Sequence, residues 1–179
     1  MARLVLITGG CRSGKSGFAH DRALAGPGPH TFVATAMRGM DPEFDRRIDR
    51  HVDDRDPAWA LVEAPLHLDE ALAGCAAGTV LVDCLTLWLG NHQYRGGEAF
   101  GEDDATRLAV ELVEAIRARE GTVFCVTNEV GWGVVPATAA GRAFRDQAGR
   151  VNRTLADAAD TVVLMVSGQP LTVKGEACP

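Results

Sequence analysis

The chain has 179 residues and a mass of 19.0 kDa, which fits one domain built on a single hydrophobic core. Hydrophobic residues make up 46% and charged residues 23%, which excludes disordered, collagen-like and coiled-coil classes. The net charge of -6 argues against a protein that coats nucleic acid or an anionic membrane. Because no apolar run approaches the roughly 20 residues of a membrane span, we expect a soluble, cytoplasmic protein.

Short runs rich in Val, Ile, Leu and Thr alternate with longer helical stretches along the whole chain. This alternation is typical of βαβ units that build a parallel sheet. Buried strands are predicted at residues 3–8, 31–35, 79–84, 122–127 and 161–167. Residues 59–62 are a weaker candidate strand, and residues 171–174 are a candidate edge strand.

Five stretches between the strands predict helices, at residues 16–24, 41–52, 66–76, 103–119 and 140–158. In the second of them, Asp41 is the expected N-cap and Pro42 occupies the first helical position. The polar, glycine-rich and acidic residues 94–104 predict an exposed, mobile loop. Together these elements predict an α/β fold with a mostly parallel sheet and helices on both faces.

The strongest motif lies between the first predicted strand and the first predicted helix. It reads Gly9-Gly10-Cys11-Arg12-Ser13-Gly14-Lys15-Ser16 and matches the phosphate-binding pattern G-x-x-x-x-G-K-[ST]. Its glycines allow backbone N–H groups to point at a phosphate, and the helix N-terminus adds a positive end. Lys15 would bridge the β- and γ-phosphates, and the Ser16 hydroxyl would bind Mg²⁺. Arg12 is either a further phosphate contact or a solvated loop residue.

Asp83 places a carboxylate at the end of an apolar predicted strand. A carboxylate in that place holds Mg²⁺ directly or through water in phosphate-loop enzymes. The alternative for Asp83 is a helix N-cap. The next strand ends in Thr127-Asn128-Glu129, so the chain lacks the N-K-x-D motif with which GTPases read guanine.

The segment 41–55 is the most charged predicted helix, and His51 lies there among four arginines, Arg46, Arg47, Arg50 and Arg55. This arrangement suits a polyphosphate. Neutral imidazole, which is abundant at neutral pH, is the form that attacks phosphorus. The residues alone leave open a solvated helix with a half-buried histidine.

A glycine-rich loop and the arginines of the last predicted helix each allow two interpretations. Gly131-Trp132-Gly133 gives a flexible loop whose one large side chain either covers a flat ligand or fills a hydrophobic crevice. Arg142, Arg145 and Arg150 on the last predicted helix either receive a second anion or are solvated helix arginines.

Several stretches together resemble the bifunctional adenosylcobinamide kinase/adenosylcobinamide-phosphate guanylyltransferase family of cobalamin biosynthesis. They are TGGCRSGKS, VATA followed by D-x-E and RI-x-x-H, the Trp59/Glu63/Pro65 region, LVDCLTLWLGN, TNEVGWGVVP and FRDQAGRVNRTLADAADTVVLMVSG. The fold that this resemblance implies is the P-loop NTPase (RecA-like) fold, as one domain over residues 1–179. A kinase without the second activity and a non-catalytic nucleotide-binding switch are the alternatives.

The resemblance implies two reactions on one corrinoid. ATP or GTP phosphorylates the hydroxyl of adenosylcobinamide with Mg²⁺, and GTP then transfers GMP to adenosylcobinamide phosphate through a GMP–histidine intermediate at His51. The implied nucleotide contacts are residues 9–16 with Thr35, Ala36, Arg55, Glu63 and Asp83, where Glu63 is a candidate for reading guanine. The family is also trimeric, so the resemblance implies a homotrimer.

Overall fold

The computed structural model describes residues 1–39, 46, 56–176 and 178. The predicted helix at residues 41–52, apart from Arg46, lies outside the described residues. So do two of the predicted site residues, His51 and Arg55.

Seven strands form one sheet in the order β3-β2-β4-β5-β1-β6-β7. The first six strands pair in parallel, and β7 pairs with β6 in the antiparallel direction. The predicted mostly parallel sheet with an edge strand at its end is therefore confirmed. The strands are β1 Arg3–Gly9, β2 His30–Ala34, β3 Trp59–Glu63, β4 Gly78–Asp83, β5 Gly121–Val126, β6 Thr161–Val166 and β7 Gln169–Lys174.

Two hydrophobic clusters lie on opposite faces of this sheet, because side chains alternate along each strand. Leu4 and Leu6 of β1 belong to one cluster, and Val5 and Ile7 belong to the other. Four helices pack on the first face, and α1 is the described helix that packs on the second. The helices are α1 Lys15–Leu24, α2 Leu68–Gly74, α3 Leu85–Gly96, α4 Glu102–Ala118 and α5 Ala139–Ala158. None of the helices in the described residues is long and apolar enough to cross a membrane.

The prediction that residues 94–104 form a loop was wrong, although most of the described side chains in this segment are exposed as predicted. Its first residues end α3, a 3₁₀ turn follows at Gly97–Ala99, and its last residues begin α4. Phe100 packs against the first hydrophobic cluster, which anchors the connection. Helix α3 itself was not predicted, although Leu85, Trp88 and Leu89 on it are buried.

The strand order determines which residues meet at the ligand-binding edge. In a parallel sheet the carboxyl ends of all strands meet at one edge, where ligands bind in open α/β folds. Here β5 lies between β1, which leads into the phosphate motif, and β4, which ends at Asp83. Residues that follow β5 therefore lie between these two groups.

Candidate functional site

Two glycines determine the path of the loop at residues 9–16. Gly9 has φ of 151°, and a Cβ there would lie 2.5 Å from the carbonyl oxygen of Met165. Gly14 has φ of 93°, the left-handed conformation that favours glycine, and immediately precedes α1. The loop therefore needs glycine at both positions, the first for space and the second for conformation.

The turn between β6 and β7 supports this loop from outside the motif. Gly168 lies in the turn and donates its N–H to the carbonyl oxygen of Ser13 at 3.0 Å. Its Cα also lies 3.5 Å from the position that a Cβ on Gly14 would occupy. The loop shape thus depends on a segment far along the chain, which the sequence analysis did not identify.

Lys15 is the buried cation of the loop, with 7% of its surface exposed. Its Nζ donates to the carbonyl oxygen of Gly10 at 2.6 Å and to Ser13 Oγ at 3.5 Å. Burial lowers the pKa of Lys15, and nearby Cys84, Cys11 and Asp83 partly offset that effect. A bound phosphate would favour the charged ammonium further, because an opposite charge raises the pKa of a lysine.

Asp83 ends β4 at the same edge of the sheet, and its charge partly offsets the effect of burial on the pKa of Lys15. Ser16 is exposed in the first turn of α1. Within the described residues no group of three or more His, Cys, Asp or Glu side chains could hold a metal alone. Mg²⁺ in nucleotide sites takes only one or two protein oxygens and completes its shell with phosphates and water. The hydroxyl of Ser16 and the carboxylate of Asp83 fit this requirement.

Thr35 connects the ends of β2 and β4. It is fully buried, its Oγ1 donates to the carbonyl oxygen of Cys84 at 2.7 Å, and it accepts from Cys84 N–H at 2.8 Å. Its own N–H donates to the carbonyl oxygen of Asp83 at 3.4 Å. Because these bonds occupy the hydroxyl, Thr35 contributes the path of the backbone that leads to Ala36.

Asn91 of α3 holds the same region from the other side, and sequence analysis missed it. Only 7% of it is exposed. Its Nδ2 donates to the carbonyl oxygen of Thr35 at 2.8 Å and to that of Pro65 at 2.9 Å. One amide group therefore joins the segments that follow β2 and β3. Because α3 was not predicted, this role could not be assigned to Asn91 from the sequence.

Glu63 ends β3, two strands from Asp83, since both residues align with Ala34 on β2. Its Oε1 lies 3.5 Å from Arg38 Nε in an exposed ion pair. With strands spaced about 4.8 Å apart, β3 lies about 19 Å from β1 across the sheet. Glu63 is therefore remote from the phosphate loop, in a position compatible with contact to a nucleotide base.

The residues that follow β5 form a polar network with α3 and α5. Thr127 Oγ1 donates to Asn152 Oδ1 at 2.7 Å, and Asn152 Nδ2 donates to the carbonyl oxygen of Asn128 at 3.0 Å. Asn128 N–H donates to Thr86 Oγ1 at 2.9 Å. These bonds fix the path of the chain as it leaves β5 towards Glu129.

Residues 130–138 continue into an exposed loop. Trp132 is 68% exposed, so its side chain does not fill a crevice in the described structure. Arg142 donates to the carbonyl oxygens of Pro136 and Ala137 at 3.1 and 2.9 Å, and Arg150 pairs with Glu102. Arg142 and Arg150 therefore already have partners within the protein, which argues against their receiving a second anion.

A family model described as cobinamide kinase / cobinamide phosphate guanyltransferase matches residues 5–173. The bifunctional adenosylcobalamin biosynthesis protein CobU of Salmonella typhimurium is 37% identical, covering 96% of this chain and 99% of that protein. The corresponding CobP of Pseudomonas aeruginosa is 39% identical, covering 96% and 97%, and CobU of Escherichia coli is 36% identical, covering 96% and 99%.

The crystal structure of the RadB recombinase is similar in fold, with a TM-score of 0.54 and 14% sequence identity over 99% of this chain and 83% of that one. At this identity the likeness concerns the fold alone. It confirms the expected RecA-like P-loop fold.

Proposed function

Because the chain belongs to the cobinamide kinase / cobinamide phosphate guanyltransferase family, we propose that one nucleotide site carries out both of its reactions. In the first, ATP or GTP phosphorylates the hydroxyl of adenosylcobinamide. In the second, GTP supplies GMP to the resulting phosphate, giving adenosylcobinamide-GDP and pyrophosphate. The observation that carries this proposal is the buried Lys15, whose pKa the charge of Asp83 affects, at the edge where Thr35 follows β2 and Glu63 ends β3.

In the kinase step, the backbone of residues 9–16 and the Lys15 ammonium hold the β- and γ-phosphates. Ser16 and Asp83 would hold Mg²⁺, and the bound ion would neutralise charge on the phosphate oxygens. Lys15 is already positioned by its bond to Gly10, so little reorganisation is needed when nucleotide binds.

In the second reaction, an imidazole nitrogen of His51 attacks the α-phosphorus of GTP, and pyrophosphate leaves. A phosphate oxygen of the corrinoid then attacks the same phosphorus, and the bond to His51 breaks. This covalent route divides one transfer between two anions into two steps. Arg55 stabilises charge on the phosphates, and the Glu63 carboxylate accepts from N1–H and the 2-amino group of guanine.

Assembly and location belong to the same proposal. We infer a homotrimer that works in the cytoplasm on corrinoid and nucleoside triphosphates. Strand β7, exposed along its whole length, is compatible with a subunit contact.

The histidine intermediate is tested by incubating the protein with [α-³²P]GTP and Mg²⁺. We expect label that is lost in acid and retained in alkali, as expected of a phosphoramidate, and no label on His51→Ala. His67→Ala is the matched control, because His67 is exposed and pairs only loosely with Glu70 at 3.9 Å. Equal labelling of His51→Ala would refute the assignment. A wild-type protein that phosphorylates the corrinoid but takes no label would be a kinase alone.

A further inference from the structure

We propose that Glu129 is the general base of the kinase step, the group that takes the proton from the substrate hydroxyl. The inference rests on the proposed function, since it names a residue for the first of its two reactions. Glu129 lies outside the phosphate motif, in the segment that follows β5.

Glu129 is fixed to the strand that carries the phosphate loop. Its N–H donates to the carbonyl oxygen of Gly9 at 3.1 Å. Its Oε1 accepts a hydrogen bond from Thr8 Oγ1 at 2.6 Å. Strand β5 is the direct neighbour of β1, about 4.8 Å away. Both the backbone and the carboxylate of Glu129 are therefore held at the start of the loop that receives the phosphates.

Three described carboxylates lie at or just after the carboxyl ends of strands at this edge, and two of them are less suited to accept the proton. Glu63 lies four strands from β1, about 19 Å across the sheet. Asp83 partly offsets the effect of burial on the pKa of Lys15 and is the proposed Mg²⁺ ligand, so it must keep its negative charge. Glu129 is the carboxylate that follows β5, the strand beside β1.

The second carboxylate oxygen of Glu129, Oε2, is available to accept a proton. Thr8 binds Oε1, and in the described part of the chain no Lys, Arg or His side chain lies within 4.0 Å to form an ion pair with this group. One oxygen of the carboxylate is therefore anchored, and the other has no ion-pair partner among the described residues. A general base must be held within hydrogen-bond reach of the proton that it takes, with an oxygen available to accept it.

The loop that begins one residue later offers a surface to the substrate. Trp132 and Val134 are 68% and 95% exposed. Exposed apolar side chains grouped in this way mark contact sites, and a flat macrocycle such as the corrin ring provides apolar surface. Two hydrogen bonds hold the ends of this loop. The N–H of Glu129 donates to the carbonyl oxygen of Gly9, and the side chain of Arg142 donates to the carbonyl oxygen of Pro136. A corrinoid on the loop would place its hydroxyl arm near Glu129.

The substrate O–H bond breaks and its proton passes to Oε2 of Glu129. The oxygen forms a bond to the γ-phosphorus, and the bond from that phosphorus to the β–γ bridging oxygen breaks. The electron pair leaves with ADP or GDP, and Glu129 later releases its proton to water. The second reaction needs no such base, because its nucleophile is already a phosphate anion.

This difference between the two reactions supplies the test. We expect Glu129→Gln, which keeps the size of the side chain and its bond to Thr8, to lower the single-turnover rate of adenosylcobinamide phosphorylation about 10²- to 10⁴-fold. GMP transfer to preformed adenosylcobinamide phosphate should stay within about threefold of wild type. Glu114→Gln on the exposed face of α4 is the matched control and should change neither rate.

Glu129→Asp retains a carboxylate but withdraws it by one methylene, so its phosphorylation rate should fall between those of wild type and Glu129→Gln. Phosphorylation by Glu129→Gln within threefold of wild type would overturn the assignment. An equal loss of both reactions, or of ATP binding by calorimetry, would overturn it in favour of a structural role. A wild-type protein inactive on adenosylcobinamide would instead refute the proposed function itself.

Discussion

The two ends of the candidate nucleotide site are built in different ways. At the phosphate end, the segments that follow β5 and β6 both donate backbone N–H groups to the loop, and Lys15 within the loop is buried. At the other end, beyond β2, the candidate guanine reader Glu63 contacts Arg38 in an ion pair whose two side chains are about half exposed. Exposed pairs of this kind contribute about 0–1 kcal/mol to stability.

This difference indicates that the phosphate end binds the phosphates and the exposed end recognises the base. Phosphates are common to every nucleotide and every step of the proposed reactions, so a rigid, preorganised loop suits them. Base recognition must discriminate one nucleotide and then release it, and a solvated carboxylate can exchange water for guanine at low cost. The middle of the site, where Asn91 joins Thr35 to Pro65, connects the two ends.

The largest effect is expected at the phosphate end. Lys15→Ala removes a buried cation from the triphosphate site, which costs about 2–5 kcal/mol of binding energy. Nucleotide affinity measured by calorimetry should fall accordingly, and both reactions with it. Lys174→Ala is the control, because the only other lysine in the chain binds the carbonyl oxygens of Ala156 and Asp157. Unchanged affinity in Lys15→Ala would contradict the proposed phosphate site.

An intermediate effect is expected in the middle. Asn91→Ala leaves the carbonyl oxygens of Thr35 and Pro65 without their donor, which should lower the free energy of unfolding by about 1–3 kcal/mol. Nucleotide binding should weaken less than in Lys15→Ala. Gln93→Ala on the same helix breaks only an exposed bond to Ala140 and serves as the control in urea unfolding. Equal stability of the two variants would show that Asn91 does not hold the site together.

The smallest effect is expected at the exposed end. Glu63→Gln should reduce the preference for GTP over ATP about tenfold, because a neutral amide cannot accept from both guanine donors. Stability should hardly change, since the Arg38 pair is exposed. Competition binding with both nucleotides measures the preference, with Glu70→Gln as an exposed control on α2. A preference that survives the substitution would assign guanine reading to other residues.

Local features of the sequence predicted much of this structure. Strands β1, β4, β5 and β6 are continuous apolar runs, and the prediction placed them within one or two residues. The phosphate loop was recognised because its motif is contiguous. Helix α3 was missed because Leu85 to Leu89 prolongs the apolar run of β4, and Gly90 and Gly96 weaken a helical pattern.

Contacts between distant segments could not be predicted in the same way. Thr8 and Glu129 are 121 positions apart, and they meet because β5 lies beside β1. Gly168 reaches Ser13 only through the order of β6 and β1. The single domain over residues 1–179, the homotrimer, the cytoplasmic location, Mg²⁺ and the roles of His51 and Arg55 stay predictions.

The bond from Gly168 to Ser13 has a consequence for biosynthesis. The phosphate loop is translated well before Gly168, whose N–H donates to the carbonyl oxygen of Ser13 in that loop. Strand β1 likewise pairs with β5 and β6, which are translated much later. A nascent chain therefore contains the motif long before the site can form, and nucleotide can stabilise the fold only once β5, β6 and Gly168 have been translated.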